Sequence, residues 1–142
     1  VAALVSAKDV EAVVRAKLVH EGYRVSTERA HGETGTDVIG TRGIESIHLE
    51  AIAFKSSPPA RSKDFYEAFF RAVSRLELGA TTCVIALPSR FGMGFPQRAK
   101  ASGAAWRRMG IAFPELEVWL VDTSELTVRR TSWLSWSDPL SA

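Results

Sequence analysis

This sequence is short of the residues that usually announce a chemistry. It holds one cysteine, Cys83, which excludes an internal disulfide and a cysteine-built zinc centre. Its three histidines, His20, His31 and His48, do not cluster at metal-ligand spacing. No Ser-His-Asp or Cys-His arrangement follows from spacing either. Apolar runs such as CVIAL at 83–87 fall far below the length a bilayer requires. The opening residues show none of the basic, apolar, small-residue order of a secretory signal. The glycine-bearing stretch SRFGMGFP at 89–96 lacks the Gly-Lys-Ser/Thr ending of a phosphate loop, and it reads as a non-rigid loop. Together these absences predict a cytoplasmic protein with no membrane partner, and they assign Cys83 to the core as an inert thiol.

What is present is the composition of a folded domain. With 46% hydrophobic and 24% charged residues the chain is not expected to be disordered, and 142 residues suit a single domain spanning 1–142. Net charge is only +2, but it is unevenly spread. Residues 1–60 carry 7 Lys+Arg against 8 Asp+Glu, and residues 61–142 carry 11 against 8. A basic second half suits a polyanionic partner, although any one of these cations is adequately explained as a solvated surface charge.

Periodicity orders the elements. Ser6 and Asp9 form a helix start, and Val10, Val13, Val14 and Leu18 recur at helical spacing before Gly22, which predicts a helix over 7–21. Glu11 flanks that apolar stripe and stands four residues before Arg15. Alternation predicts strands over 23–29, 36–39 and 44–54, with a glycine loop around Gly32 and Gly35 and a turn at 41–43. In the third of these, His48, Glu50, Ile52 and Phe54 share one face. Residues 56–64 (SSPPARSKD) read as a loop, after which Asp64 and Glu67 open a second helix with Phe65, Phe69, Ala72, Val73 and Leu76 inward and Arg71 and Arg75 outward. A strand at 82–87, a basic helix at 96–109, a fifth strand at 116–122 and an edge strand in the tail, packed by Trp133 and Trp136, complete an α/β domain with a mixed sheet.

The stretch 32–55 (GETGTDVIGTRGIESIHLEAIAFK) organises the rest. Asp37 heads one strand and Glu50 falls late in the next, a delivery of two carboxylates that suits a hard divalent cation. The plain alternative is a turn-forming aspartate and a strand-end surface glutamate. Element order and the pieces TGTDVIG and IHLEAIAFK resemble the PD-(D/E)XK nuclease superfamily over residues 7–87. That resemblance implies a restriction-endonuclease-like αβββαβ core, its mixed central sheet flanked by helices, with an additional C-terminal helix and strand. It implies a metal-dependent endonuclease that hydrolyses phosphodiester bonds in DNA with Mg²⁺ or Mn²⁺. Asp37, Glu50 and the backbone carbonyl of Ala51 would be metal ligands, with Glu11 an extra carboxylate from the first helix. Many nucleases of this fold act as homodimers, and no residue of this sequence marks a dimer face.

One position departs from the pattern. The superfamily's lysine, two residues after the glutamate, is Ile52 here. Its role would then pass to Lys55 through a strand bulge. Otherwise the site is degenerate, leaving a catalytically inactive DNA-binding or protein-interaction module, or the chain is a variant that lost the residue. An α/β protein with no nucleic-acid partner is the third alternative. Ile52 beside Glu50 is expected to raise that carboxylate's pKa by desolvation. Arg61, Lys63, Arg71 and Arg75 follow the site strand and are candidate DNA-phosphate contacts. His48 shares a face with Glu50 and is a candidate helper, though its ordinary role is hydrogen-bonded packing.

Overall fold

The computed structural model describes residues 4–28 and 35–137. Two of the expected features, the end of the first strand at Arg29 and the Gly32 loop with His31, lie outside them. Helix α1 (Ala7–His20) begins where Ser6 accepts a hydrogen bond from the Asp9 amide and ends before Gly22, at φ +89°. Val10, Val13, Val14 and Leu18 form its buried stripe. Strands β1 (Arg24–Val25), β2 (Val38–Arg42) and β3 (Glu45–Ala51) follow as an antiparallel meander. The turn lies one or two residues later than expected, with Gly43 supplying the positive φ.

Helix α2 (Pro58–Ser74) corrects the expected loop at 56–64. Ser57 caps it, and Pro58 and Pro59 occupy its first turn, where their missing amides have no partner to lose. A 3₁₀ turn (Arg75–Leu78) and Gly79 then lead into β4 (Thr82–Pro88), parallel to β3. The 89–96 stretch is also more ordered than expected. Ser89–Met93 forms a 3₁₀ turn, and Phe91 and Phe95 are buried. The expected third helix is two helices, α3 (Phe95–Ser102) and α4 (Ala104–Ala112), broken at Gly103, whose φ of +54° suits glycine. Strand β5 (Leu116–Asp122) runs parallel to β4, and β6 (Thr127–Ser132) pairs antiparallel with β5 as the edge.

The result is an open, mixed six-stranded sheet in the order β1-β2-β3-β4-β5-β6, flanked by helices. Alternation divides the core between its two faces. On one, the α1 stripe packs Val38, Ile47, Leu49, Ala51, Val84 and Trp119. Gly40 lets the helix approach, since a Cβ there would lie 3.1 Å from Leu18 Cδ1. On the other, α2, α3 and α4 bring Phe65, Phe95, Ala99 and Trp106 onto Ile52, Ile85, Leu87 and Val118. Trp106 and Trp133 close this layer. Their rings stack at 3.9 Å, and each indole donates its N–H to the other's carbonyl, at 3.0 and 2.7 Å. Among the described residues no helix is long and apolar enough to cross a membrane.

Candidate functional site

The hairpin register assembles the two acids. Val38 pairs with Leu49, so Asp37, immediately before β2, comes beside Glu50, one residue later on β3. Ile47, Leu49 and Ala51 belong to the α1-side core, so His48, Glu50 and Ile52 point toward α2. The Ala51 amide donates to Asp37 Oδ2 at 2.9 Å, which fixes the aspartate against the end of β3. Glu50 is 3% exposed. Its Oε1 accepts a hydrogen bond from Arg75 Nε at 2.8 Å, and a terminal nitrogen of the same guanidinium lies 2.8 Å from that oxygen as an ion pair.

The carboxylates strain each other. Burial, followed by the Asp37 charge, pushes the Glu50 carboxyl up to about 7, and Arg75 only partly opposes this. The expected desolvation is therefore present, with the neighbouring acid adding to it. Arg75 also acts on His48, whose pKa is lowered by burial and then by the guanidinium charge. His48 Nδ1 lies 3.3 Å from Thr36 Oγ1 in a buried contact, the packing role rather than a contact with the acids.

Glu11 is buried on α1, with Oε1 3.9 Å from the Arg15 guanidinium. The same guanidinium donates to the Asp37 carbonyl at 2.9 Å and to the Ser26 carbonyl. Glu11 is thus linked to the Asp37 main chain through Arg15. Among the described residues no group of three or more His, Cys, Asp or Glu side chains is placed to hold a metal ion. The all-oxygen pair of Asp37 and Glu50 remains a chemically apt donor set for a hard cation, which takes one or two carboxylates and completes its shell with water and phosphate oxygens.

Neither sequence-derived lysine position supplies a cation to the pair. Ile52 is 8% exposed, sits in the α2-side core, and donates its amide to the Ala86 carbonyl. Lys55 Nζ lies 2.8 Å from Asp64 Oδ2. The guanidinium on Glu50 belongs to Arg75, which sequence reasoning had turned outward with Arg71. A signal for its inward position was present: Ala68, Ala72 and Arg75 stand at i, i+4 and i+7, the spacing of a buried stripe. The two alanines leave room beneath the helix for a long side chain.

The other candidate cations stay outside this centre. Arg61 donates to the Lys55 and Ser56 carbonyls at 2.6 and 3.1 Å, and its guanidinium lies against the Phe54 ring, as does that of Arg90. Lys63 and Arg71 flank Glu67 on exposed α2, at 3.9 and 3.8 Å. Cys83 is buried and its thiol is pushed up to about 11, chiefly by burial, in keeping with an inert core residue. No family model matches this chain, and no curated protein or solved structure matches it significantly.

Proposed function

We propose that this chain is a restriction-endonuclease-like domain that hydrolyses phosphodiester bonds in DNA at the Asp37–Glu50 pair, with Mg²⁺ or Mn²⁺ as cofactor. One observation carries this: the hairpin register sets Asp37 beside Glu50, whose carboxyl is pushed up to about 7 by burial and then by the Asp37 charge, even with Arg75 bonded to it. Such a concentration of negative charge is what a hard divalent cation relieves. The α-β-β-β-α-β order through β4 adds support for the fold assignment. When bound, the ion supplies an activated water and a polarised phosphate. The chain's own residues prepare the site. Asp37 and Glu50 hold the ion, with the Ala51 carbonyl as the further ligand the family resemblance implies. The Ala51 amide orients Asp37, Arg75 orients Glu50 and retains a positive charge beside it, and Arg15 ties the Asp37 main chain to α1.

A second reading is favoured by the burial of Ile52 and the pairing of Lys55 with Asp64, which leave no lysine on the acids. In that reading the domain binds DNA or a protein and does not cut. Plasmid nicking in Mg²⁺ or Mn²⁺, alongside calorimetric titration of the ion, separates the two. We expect the wild type to bind the ion and nick, with Asp37→Asn and Glu50→Gln losing both. DNA binding with a steep salt dependence but no nicking would favour the second reading. Absence of ion binding, nicking and DNA binding would end the nuclease reading and the DNA-binding form of the second.

A further inference from the structure

Two aromatic side chains on α2 stay largely outside the core. Phe65 and Phe69 turn into the core, while the residues following each of them, Tyr66 and Phe70, remain 57% and 73% exposed. Rings this open cost solubility and gain little from folding, and adjacent ones mark a contact surface. They stand one helical turn apart on the same side of α2, about 6 Å along the axis.

A cation is laid beside the first of these rings, and neutral partners hold it. Arg98 of α3 lies over the Phe65 and Tyr66 rings, at 5.2 and 5.6 Å. It also reaches the Tyr66 hydroxyl and the Ser62 hydroxyl, both at 3.3 Å. Arg61, in the first turn of α2, is fixed by two carbonyls and the Phe54 ring. Among the described residues neither Arg61 nor Arg98 forms an ion pair with a carboxylate. Hydroxyls, carbonyls and rings orient a guanidinium without cancelling its charge, so each retains an unspent attraction for an anion.

We propose that this face of α2 binds an unpaired nucleic-acid strand, its bases stacking on Tyr66 and Phe70 and its phosphates meeting Arg98. Exposed rings beside a guanidinium that no carboxylate neutralises suit a strand that carries bases and phosphates side by side. A spacing of about 6 Å is nearly twice the ~3.4 Å rise of stacked bases, so the bases must come apart to use both rings. A duplex keeps its bases inside and leaves the two rings without a partner. An anionic bilayer would favour an unbroken cationic rim, and Asp64 and Glu67 interrupt this one. The inference rests on the nucleic-acid part of the proposed function and deepens it, since the substrate becomes DNA with an unpaired segment. Helix α2 covers the sheet face that carries Glu50, and the chain running on from it supplies Arg75 to that residue, which puts strand and acids on one side of the molecule.

Fluorescence anisotropy of the full chain in EDTA, with labelled oligothymidine and a duplex of equal length, tests this independently of any cation. Oligothymidine should bind more tightly than the duplex. Replacing both rings (Tyr66→Ala with Phe70→Ala) should weaken it by about tenfold or more, and Phe70→Ala alone, which leaves Arg98 on its partners, should weaken it with the salt slope unchanged. Arg98→Gln should flatten the salt slope by about 0.7. Equal or better duplex binding, a double variant that keeps its affinity, or binding confined to phosphatidylserine vesicles would each overturn the proposal. If the wild type binds the oligonucleotide but neither metal nor scissile DNA, the nuclease reading fails and this one stands. If it nicks DNA but does not bind oligothymidine, this one fails alone.

Discussion

Glu50 is pulled in opposite directions: burial and Asp37 favour its acid form, and Arg75 favours its anion. The imbalance links the site to stability. Its folded pKa, about 7, lies above the ordinary 4.5, so the folded protein holds a proton that the unfolded chain releases. That contribution is complete below about pH 4.5 and is lost as pH rises through 7. Urea midpoints measured in EDTA should therefore fall between pH 5 and 8, and Glu50→Gln should flatten the fall. Mg²⁺ should restore the wild-type midpoint at pH 8 if it binds the pair. Single residues were unevenly legible. Asp37 and Glu50 could be paired from strand order and spacing. The partner of Glu50 was missed although Arg75 follows Ala68 and Ala72 at buried-stripe spacing, because an arginine four residues after Arg71 reads first as part of the same exposed face. The burial of Ile52 did follow from alternation, and it means that a lysine introduced there would begin inside an apolar layer.

At the scale of elements, the strongest periodicities were the easiest to read. Helix α1 and strand β5 fall within a residue of expectation, since an unbroken apolar pattern bounded by a cap or a turn leaves few alternatives. The start of α2 was missed because two consecutive prolines usually interrupt structure, yet in a first turn they suit the helix. Helix α4 depends on a glycine whose importance no local pattern displays. A Cβ on Gly110 would lie 2.5 Å from Leu134 Cγ and 2.9 Å from Trp133 Cδ1. Gly110→Ala should therefore destabilise the protein by about 1–3 kcal/mol despite the better helix propensity of alanine, as read by denaturant midpoint. The loss should come with changed tryptophan fluorescence, because the clash falls at the indole layer.

Across the whole molecule, the mixed sheet was legible from connection lengths. Short links force antiparallel neighbours, and the helical crossovers through α2 and through α3–α4 force parallel ones. Its open borders are guarded: β1 has only two residues, and β6 carries Arg129 and Arg130, which discourage another strand from pairing there. Long-range partners were beyond the sequence, because helical and strand periods say which face is apolar and not which side chains meet across it. The two tryptophans are the clearest case, 27 positions apart in sequence and in contact through both rings and both carbonyls. They form a buckle that does not rely on sulfur. In a chain with a single thiol, the loop from α4 to the end of β6 is fastened by paired indoles. Such a fastening ignores reductants and opens only with heat, denaturant or loss of a ring. Two chromophores stacked at 3.9 Å and 13° also report on themselves. The native protein should show an exciton couplet in its circular dichroism, Trp133→Phe should erase it, and dithiothreitol should leave it untouched.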